Sequence, residues 1–348
     1  MKKYYGIEIL RFFTSLSVLF YHYRHFFGPY NSTSNLNYPD ISSTLPFYKF
    51  LNLIYDHGIF GVHVFYTISG FVFAYIYLQD KEKIKAKEFF INRFARLYPL
   101  HFATLLLVLF LQTISYINFD SSQIIENNDA FHFILHLFFI SSWGFENGHS
   151  FNAPIWSVSI EVAIYIIFFL TLSIIKKYKI FSVIVLSIFL LIIDKVKIYD
   201  TLFLECARLF FSGTLVYYLT KLKIKEIIFI ALSTFLVIFS FMGNFKTFVF
   251  CPGLVLFFVS IEKYISDKKI QNYFRNLGNL TYSLYLLHLP LQILILIIFK
   301  LMNLSETIFV TNYFFFAFFI FLIFISNYSF RFYEKRLNDL IRKKFKEY

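Results

Sequence analysis

The sequence contains few charged residues. Asp, Glu, Lys and Arg make up only 16% of its 348 residues, whereas 58% are hydrophobic, including 52 Phe and 26 Tyr. A soluble domain of this length interleaves charged faces with its core, so the composition argues against the soluble classes. Apolar segments follow one another along the whole chain. We therefore predict one all-α integral membrane domain over residues 1–348.

Cysteine is scarcer still. Cys206 and Cys251 lie in apolar segments and have neither metal-ligating nor redox spacing, which predicts packed free thiols and no metal site. The sequence also lacks a recognisable cleavable signal peptide, because the first apolar segment is too long and has no small-residue cleavage pattern. That segment is expected to remain as a membrane anchor.

Ten apolar segments are predicted to cross the membrane as helices, since about 20 apolar residues span the hydrocarbon core. They cover approximately residues 7–27, 58–78, 97–117, 155–175, 180–193, 202–219, 227–242, 248–265, 280–301 and 312–330. The apolar segment Phe131–Ser142 is too short to span. We expect it to be re-entrant or interfacial, with the following loop returning to the same side.

The basic residues are distributed unequally across this topology. Ten spans put both termini on one side, where the loops and tails contain 25 Lys and Arg residues, against six on the other side. The positive-inside rule then places both termini in the cytoplasm. The net charge of +12 therefore reflects topology and not nucleic-acid binding. The basic C-terminal segment is expected to form an amphipathic helix on the lipid bilayer.

The first apolar segment contains two ionisable residues. Arg11 and His22 are eleven residues apart, close to three helical turns, so they share one helix face at a separation of roughly 16 Å. Ionisable residues inside a span face a protein interior or a wet cavity, which favours a functional site. Two structural alternatives remain: Arg11 snorkels to the headgroups, and His22 lies in the interfacial aromatic belt.

Arg93 and Arg96 form a second candidate site in the segment INRFARLYP. They are three residues apart and share a helix face at the cytoplasmic end of the third predicted span. Two guanidinium groups there suit a phosphate or pyrophosphate, and Arg11 enters at the same depth. The alternative is topological anchoring by the positive-inside rule.

Three further segments place polar side chains inside predicted spans. GVHVFYTISGF contains His63 and Ser69, NAPIWSVSIEVAIY contains Trp156, Ser157 and Glu161, and LTYSLYLLHLPL contains Tyr285 and His288. Glu161 lies near the depth of His22, where a carboxylate orients an imidazole and stabilises its protonated form. The alternatives are helix packing at Ser69, a structural salt bridge at Glu161, and satisfied core residues at Tyr285 and His288.

Together and in this order, these segments resemble the acyltransferase-3 family of membrane O-acyltransferases. The first, LRFFTSLSVLFYHY, has Arg11 and His22 at the family's spacing, and the resemblance covers essentially the whole chain. It implies a ten-helix fold in the cytoplasmic (inner) membrane of a bacterium. It also implies transfer of an acyl group, most simply acetyl, from cytoplasmic acetyl-coenzyme A. The acceptor is expected to be a hydroxyl of a cell-surface glycan, such as lipopolysaccharide or exopolysaccharide, or of a lipid-linked sugar.

The resemblance also implies roles for individual residues. His22 is expected to be the catalytic base, and Arg11, Arg93 and Arg96 are expected to bind the donor. Family members commonly carry an acidic residue where His63 stands, so we expect Glu161 to supply the carboxylate beside His22. The remaining polar residues are expected to line the substrate cavity: His63, Ser69, Trp156, Ser157, Tyr285 and His288. The soluble esterase-like domain that follows the membrane part in some members is not expected.

A membrane transporter is the alternative from another functional class. A flippase of a glycan precursor or an organic-anion exporter would use the same buried charges to line an alternating pathway. The sequence shows no inverted repeat and no paired broken helices, which favours the acyltransferase. A structural scaffold would leave Arg11 and His22 unexplained.

Overall fold

A computed structural model describes residues 4–28, 42–79, 84–196, 201–242 and 246–346. These residues form α-helices and no strand: α1 Tyr5–His22, α2 Tyr48–His57, α3 Phe60–Tyr77, α4 Ala86–Phe119, α5 Ala130–Leu137, α6 Ile155–Tyr178, α7 Ile180–Val196, α8 Thr201–Leu219, α9 Glu226–Ser240, α10 Thr247–Ser260, α11 Lys268–Leu301, α12 Asn312–Ser329 and α13 Lys335–Lys346. Some basic residues counted for the topology lie outside the described residues: Lys2, Lys3, Lys81, Lys83 and Lys197.

The all-helical membrane fold predicted from the sequence is confirmed. Each of the ten predicted spans corresponds to a helix. In the part of the chain that the structure describes, seven segments are long and apolar enough to cross a membrane: Phe60–Tyr77, Ala86–Phe119, Ile155–Tyr178, Leu202–Leu219, Thr247–Tyr264, Lys268–Leu301 and Asn312–Phe345. Helix α9 is apolar but shorter.

Several helix ends differ from the predicted ones. Helix α1 ends at His22, and the chain continues as a 3₁₀ helix over Tyr23–Phe27, so His22 is a terminal residue of the α-helix. Helices α4 and α11 begin 11 and 12 residues before the predicted starts at 97 and 280. Their first turns are polar and basic, and hydropathy detects only the apolar part of a helix. The predicted C-terminal helix exists as α13, which continues α12 through a π-helical turn, Phe330–Glu334.

The segment after α4 runs back along that helix. The backbone N–H of Gln123 donates to the Gln112 side chain at 2.9 Å, and the backbone carbonyl of His136 accepts a hydrogen bond from His101 Nε2 at 2.8 Å. His101 is 18 residues before the end of α4, about 27 Å along its axis. The short segment therefore lies beside the middle of α4, and its re-entrant or interfacial position in the membrane remains a prediction.

The described residues form two compact units. The first contains the described parts of Met1–Leu16, Ile59–Ala86 and Ile160–Asn279, and the second contains those of Ser17–Gly58, Lys87–Ser159 and Leu280–Tyr348. Helices α1, α6 and α11 each contribute to both units. The single domain predicted over the whole chain remains a prediction.

The first unit is built on a close crossing of α3 and α8. A Cβ atom at Gly70 would lie 1.7 Å from the carbonyl oxygen of Phe210, and one at Gly213 would lie 1.9 Å from that of Thr67. Only glycine permits this backbone approach, as is common between membrane helices. Helix packing, the alternative given for Ser69, is therefore observed at the neighbouring residue, Gly70.

The second unit has an aromatic core at the end of α1. Tyr23 and Phe26 are buried, and they contact Phe309, Phe315 and Phe318 at ring centroid distances between 4.8 and 6.0 Å. The Tyr23 hydroxyl donates to the carbonyl oxygen of Phe309 at 2.8 Å. This bond satisfies the polar end of a buried tyrosine. The core fixes the chain directly after His22.

Candidate functional site

The second unit places His22 against α11. Its Nδ1 atom lies 2.9 Å from Nε2 of His288, and both side chains are buried. The carbonyl oxygen of His22 has no partner within α1 because the helix ends there. It accepts a hydrogen bond from Gln292 Nε2 at 2.9 Å. Both the ring and the backbone of His22 are thus held by α11.

One of the two facing imidazole nitrogens must donate and the other accept. A base role for His22 requires the tautomer with the proton on Nδ1, because that leaves the Nε2 lone pair available. His288 Nε2 then accepts the Nδ1 proton across the 2.9 Å contact. His288 occupies the position that a carboxylate has in a Ser-His-Asp triad. In this arrangement His22 Nε2 can accept a proton while His288 holds the His22 ring through its Nδ1 atom.

A proline in α11 creates the next contact. Pro290 has no backbone N–H, so the carbonyl of Leu286, four residues earlier, loses its partner in the helix. Asn152 Nδ2 donates to that carbonyl at 3.0 Å. Asn152 is fully buried and precedes the first turn of α6. Pro290 therefore leaves a carbonyl group, two residues before His288, to which the segment preceding α6 is anchored.

Tyr285 and Ser157 complete the junction between α11 and the start of α6. The two hydroxyl oxygens are 2.8 Å apart, and each hydroxyl also lies within hydrogen-bond distance of the carbonyl oxygen of Pro154. The Tyr285 and His288 ring centroids are 5.9 Å apart. The structure thus brings together three predicted cavity residues, Ser157, Tyr285 and His288, on the second unit that also contains His22.

Two more histidines lie near this pair. The His25 ring centroid is 5.0 Å from that of His22. His149 lies within electrostatic range of both His22 and His25. The His149 ring centroid is 6.2 Å from that of Trp156, a residue predicted from the sequence to line the cavity. Burial lowers the pKa of His149 to about 4, so its ring is neutral near pH 7. Neither histidine was predicted as a site residue. The spacing of His25, three residues after His22, could have identified it, whereas no sequence pattern marks His149 in its polar loop.

Arg96 lies in a polar network on the second unit. Its Nη1 atom donates to Glu334 Oε1 at 2.7 Å, and the Ser283 hydroxyl donates to Glu334 Oε2 at 2.8 Å. The Glu334 side chain is 1% exposed and that of Arg96 is 25% exposed. Tyr282 fixes α11 beside α4 by donating to the carbonyl of Leu97 at 2.7 Å. Glu334 was not predicted, although an acidic residue directly after an apolar span is a recognisable signal.

Arg93 and Arg11 are placed on different units. Arg93 lies three residues before Arg96 on α4 and is half-buried. Arg11, on the first unit, forms an ion pair of 3.4 Å with Glu8. A Cβ atom at Gly278 would lie 2.0 Å from Glu8 Oε2, so glycine makes room for this carboxylate beside α11. Glu8 therefore orients Arg11.

The first unit contains a second group of ionisable residues. His63 Nε2 lies 3.4 Å from Glu205 Oε2, and both Glu205 and Glu161 interact electrostatically with Cys206. Glu205 was not predicted, although a glutamate inside an apolar span is a clear signal. Ser69 is half-buried on α3. The predicted pairing of Glu161 with His22, and the cavity roles of His63 and Ser69, remain predictions.

The helices indicate a multi-pass membrane protein, and its second unit contains a buried pair of histidines. Residues 4–328 match the acyltransferase-3 family profile, described as an acyltransferase domain. The chain therefore belongs to this family, and the resemblance predicted from the sequence is confirmed.

Two curated proteins show the same kinship. The chain is 31% identical over 125 residues to the peptidoglycan O-acetyltransferase OatA of Listeria monocytogenes, covering 32% of this chain and 19% of OatA. It is 30% identical over 123 residues to the acyltransferase MdmB of Streptomyces mycarofaciens, covering 34% of this chain and 30% of MdmB. The matches thus span less than a third of each relative. No solved structure matches the chain significantly.

Proposed function

We propose that the chain transfers an acetyl group from acetyl-coenzyme A to a hydroxyl of a cell-surface glycan or lipid-linked sugar, in the cytoplasmic membrane of a bacterium. Membership of the acyltransferase-3 family and similarity to a peptidoglycan O-acetyltransferase support acyl transfer. The observation that carries the proposal is the buried His22–His288 pair, which has the geometry of a positioned base. Buried imidazoles that contact each other at hydrogen-bond distance suit proton transfer.

The donor's phosphates are assigned to Arg93 and Arg96 at the cytoplasmic end of α4. Glu334 holds one Nη atom of Arg96, and a guanidinium group has further N–H groups to offer a phosphate. Ser283, which contacts Glu334, precedes His288 by five residues, about 7.5 Å along α11. One extended acyl thioester can therefore reach from the arginines to the histidine pair. Arg11 is also proposed to bind the donor, and this role rests on the family motif that contains it.

The chemistry requires two proton transfers through His22 and one exchange of bonds at the thioester carbonyl carbon. His22 Nε2 removes the proton of the acceptor hydroxyl while the oxygen attacks the thioester carbonyl carbon. The C–S bond breaks, and the coenzyme A thiolate takes the proton from the His22 imidazolium. His288 keeps the ring of His22 oriented throughout. A positioned base of this kind contributes about 10²–10⁴-fold to the rate.

The topology that serves this reaction has ten spans and cytoplasmic termini. The distribution of Lys and Arg supports it, because 25 of these residues lie on the proposed cytoplasmic side. Arg93 and Arg96 then lie towards the coenzyme A pool. The acceptor approaches from the opposite side of the membrane.

Acetyl-coenzyme A turnover by the purified protein in lipid vesicles tests the proposal. The unmodified protein is expected to release coenzyme A thiol and to transfer radiolabelled acetate to extracted envelope glycan, and His22→Ala is expected to do neither. His57→Ala is the matched control, because His57 is exposed at the end of α2. Normal turnover by a well-folded His22→Ala protein would show that His22 is not the catalytic base. Absence of turnover in the unmodified protein, with transport of a glycan precursor instead, would favour a flippase.

A further inference from the structure

Helix α5 contacts the polar loop that follows it through two histidines one turn apart. We call residues 143–152 the return loop. His132 Nε2 accepts a hydrogen bond from the backbone N–H of Asn147 at 3.2 Å, and His136 Nε2 lies 3.0 Å from the Ser150 hydroxyl. The two histidines are 5% and 1% exposed. These contacts attach α5 to the return loop at two points that flank His149.

The contact through His132 has a defined direction. Nδ1 lies 2.7 Å from Asp129 Oδ2, and a carboxylate accepts hydrogen bonds, so Nδ1 carries the proton. A backbone N–H always donates, so Nε2 must be unprotonated to accept from Asn147. Only the neutral imidazole with its proton on Nδ1 makes both bonds. Asp129 also caps α5 by accepting from the backbone N–H of His132 at 2.9 Å.

The return loop carries polar groups to the histidine pair. His149 interacts electrostatically with His22, and Asn152 binds the carbonyl of Leu286, two residues from His288. The Oδ1 atom of Asn152 is buried and has no hydrogen-bond partner within the described residues. A buried acceptor without a partner suits a ligand that donates, such as a hydroxyl. The loop therefore offers hydrogen-bonding groups of the type that a polyhydroxylated acceptor requires.

We propose that His132 and His136 form a clamp that positions the return loop as the acceptor-binding wall of the site. The donor groups belong to other elements: Arg96 and Glu334 lie on α4 and on the π-helical turn before α13. The clamp is therefore a positioning device for the acceptor and not for the donor. This inference rests on the proposed acyltransferase function and deepens it.

The test separates donor consumption from acceptor acylation. In membranes from a complemented deletion strain, His132→Ala is expected to consume acetyl-coenzyme A within about twofold of the unmodified protein, with an unchanged KM for acetyl-coenzyme A. Base-labile acetate on the extracted envelope glycans is expected to fall at least tenfold. Water then replaces the misplaced acceptor, so hydrolysis becomes uncoupled from transfer. His132→Gln is the matched variant, because its amide oxygen can accept from the Asn147 N–H and is expected to restore most of the acetylation.

Hydrogen exchange gives a readout that does not depend on activity. His132→Ala is expected to speed exchange of the backbone amides over residues 144–151, and His132→Gln is expected to leave it near the unmodified rate. The clamp is overturned if this exchange is unchanged, or if donor consumption and glycan acetylation fall together in both variants. Failure of the unmodified protein to consume acetyl-coenzyme A rejects the proposed function, while the exchange data still decide whether the clamp exists.

Discussion

Among individual residues, His288 is the direct partner of the proposed base, because its Nε2 atom faces Nδ1 of His22 at 2.9 Å. We predict that His288→Ala lowers kcat for acetyl transfer by roughly 10- to 100-fold, less than the 10²–10⁴-fold that a general base itself supplies. The KM for acetyl-coenzyme A is expected to stay constant, because His288 contacts the base and not the donor. Steady-state kinetics in vesicles measure both values.

His288→Gln is the informative control for this prediction. Its amide oxygen can accept the Nδ1 proton of His22, which preserves the working tautomer, so we expect activity between those of the unmodified protein and His288→Ala. Equal activity of all three proteins would mean that His22 needs no orienting partner. Glu161→Gln, measured in parallel, tests whether that carboxylate contributes to turnover as the sequence predicts.

Arg96 and Glu334 provide a prediction about stability at the same scale. Arg96→Ala removes the ion-pair partner of the buried Glu334 carboxylate, which also accepts a hydrogen bond from Ser283. We expect a loss of about 1–2 kcal/mol, below the value for a fully buried pair because Arg96 is partly exposed. Thermal unfolding in detergent measures it. Arg96→Ala combined with Glu334→Gln should recover part of the loss, and additive effects in this cycle would contradict coupling of the two residues.

Among the structural elements, the crossing of α3 and α8 depends on backbone contact. Gly70→Ala places a Cβ atom 1.7 Å from a carbonyl oxygen, so the helices must separate. Overpacking of this kind costs about 1–3 kcal/mol or more, and we predict a lower unfolding temperature and a lower yield. Gly253→Ala is the matched control, because its Cβ atom meets a side-chain carbon at 3.1 Å. Equal losses in the two variants would show that the close crossing is not the cause.

Helix α5 is expected to loosen in acid because of its cap. The backbone N–H of His132 donates to Asp129 and lowers the pKa of that carboxyl group below its usual value of 3.8. The cap is therefore fully effective above the ordinary pKa and is lost as the pH falls through the lowered one. Hydrogen exchange of residues 130–137 should increase over that acidic range. Asp129→Asn, which can still cap, should respond less to pH, and an identical acid response would exclude Asp129 as the cause.

For the whole molecule, hydropathy predicted the helices of the ten apolar spans but not the short helix α2, which lies in a segment predicted to be a polar loop. The family motifs predicted the acyltransferase-3 membership. Contacts made by residues outside those motifs were not predictable. Glu205 and Glu334 are single acidic residues whose partners lie far away in the chain, and no local pattern identifies a partner. The unpaired carbonyl of Leu286 follows from Pro290, but its bond to Asn152 depends on how α6 begins. Sequence periodicity determines which face is polar, whereas packing determines which polar groups meet.

The orientation of the chain in the membrane is the last testable expectation. Cytoplasmic termini place α13 inside and the connection between α11 and α12 outside. Lys344 on α13 and Glu306 in that connection are both exposed, so single Lys344→Cys and Glu306→Cys variants present accessible thiols. Cys206 and Cys251 are free and buried, as predicted, and provide a low background. We expect a membrane-impermeant maleimide to label Glu306→Cys in intact cells and Lys344→Cys only after permeabilisation. The reverse pattern would place Arg93 and Arg96 on the side away from cytoplasmic coenzyme A and would contradict the donor site. Labelling of both variants in intact cells would place both positions on the outer side, so an odd number of spans between them would be excluded.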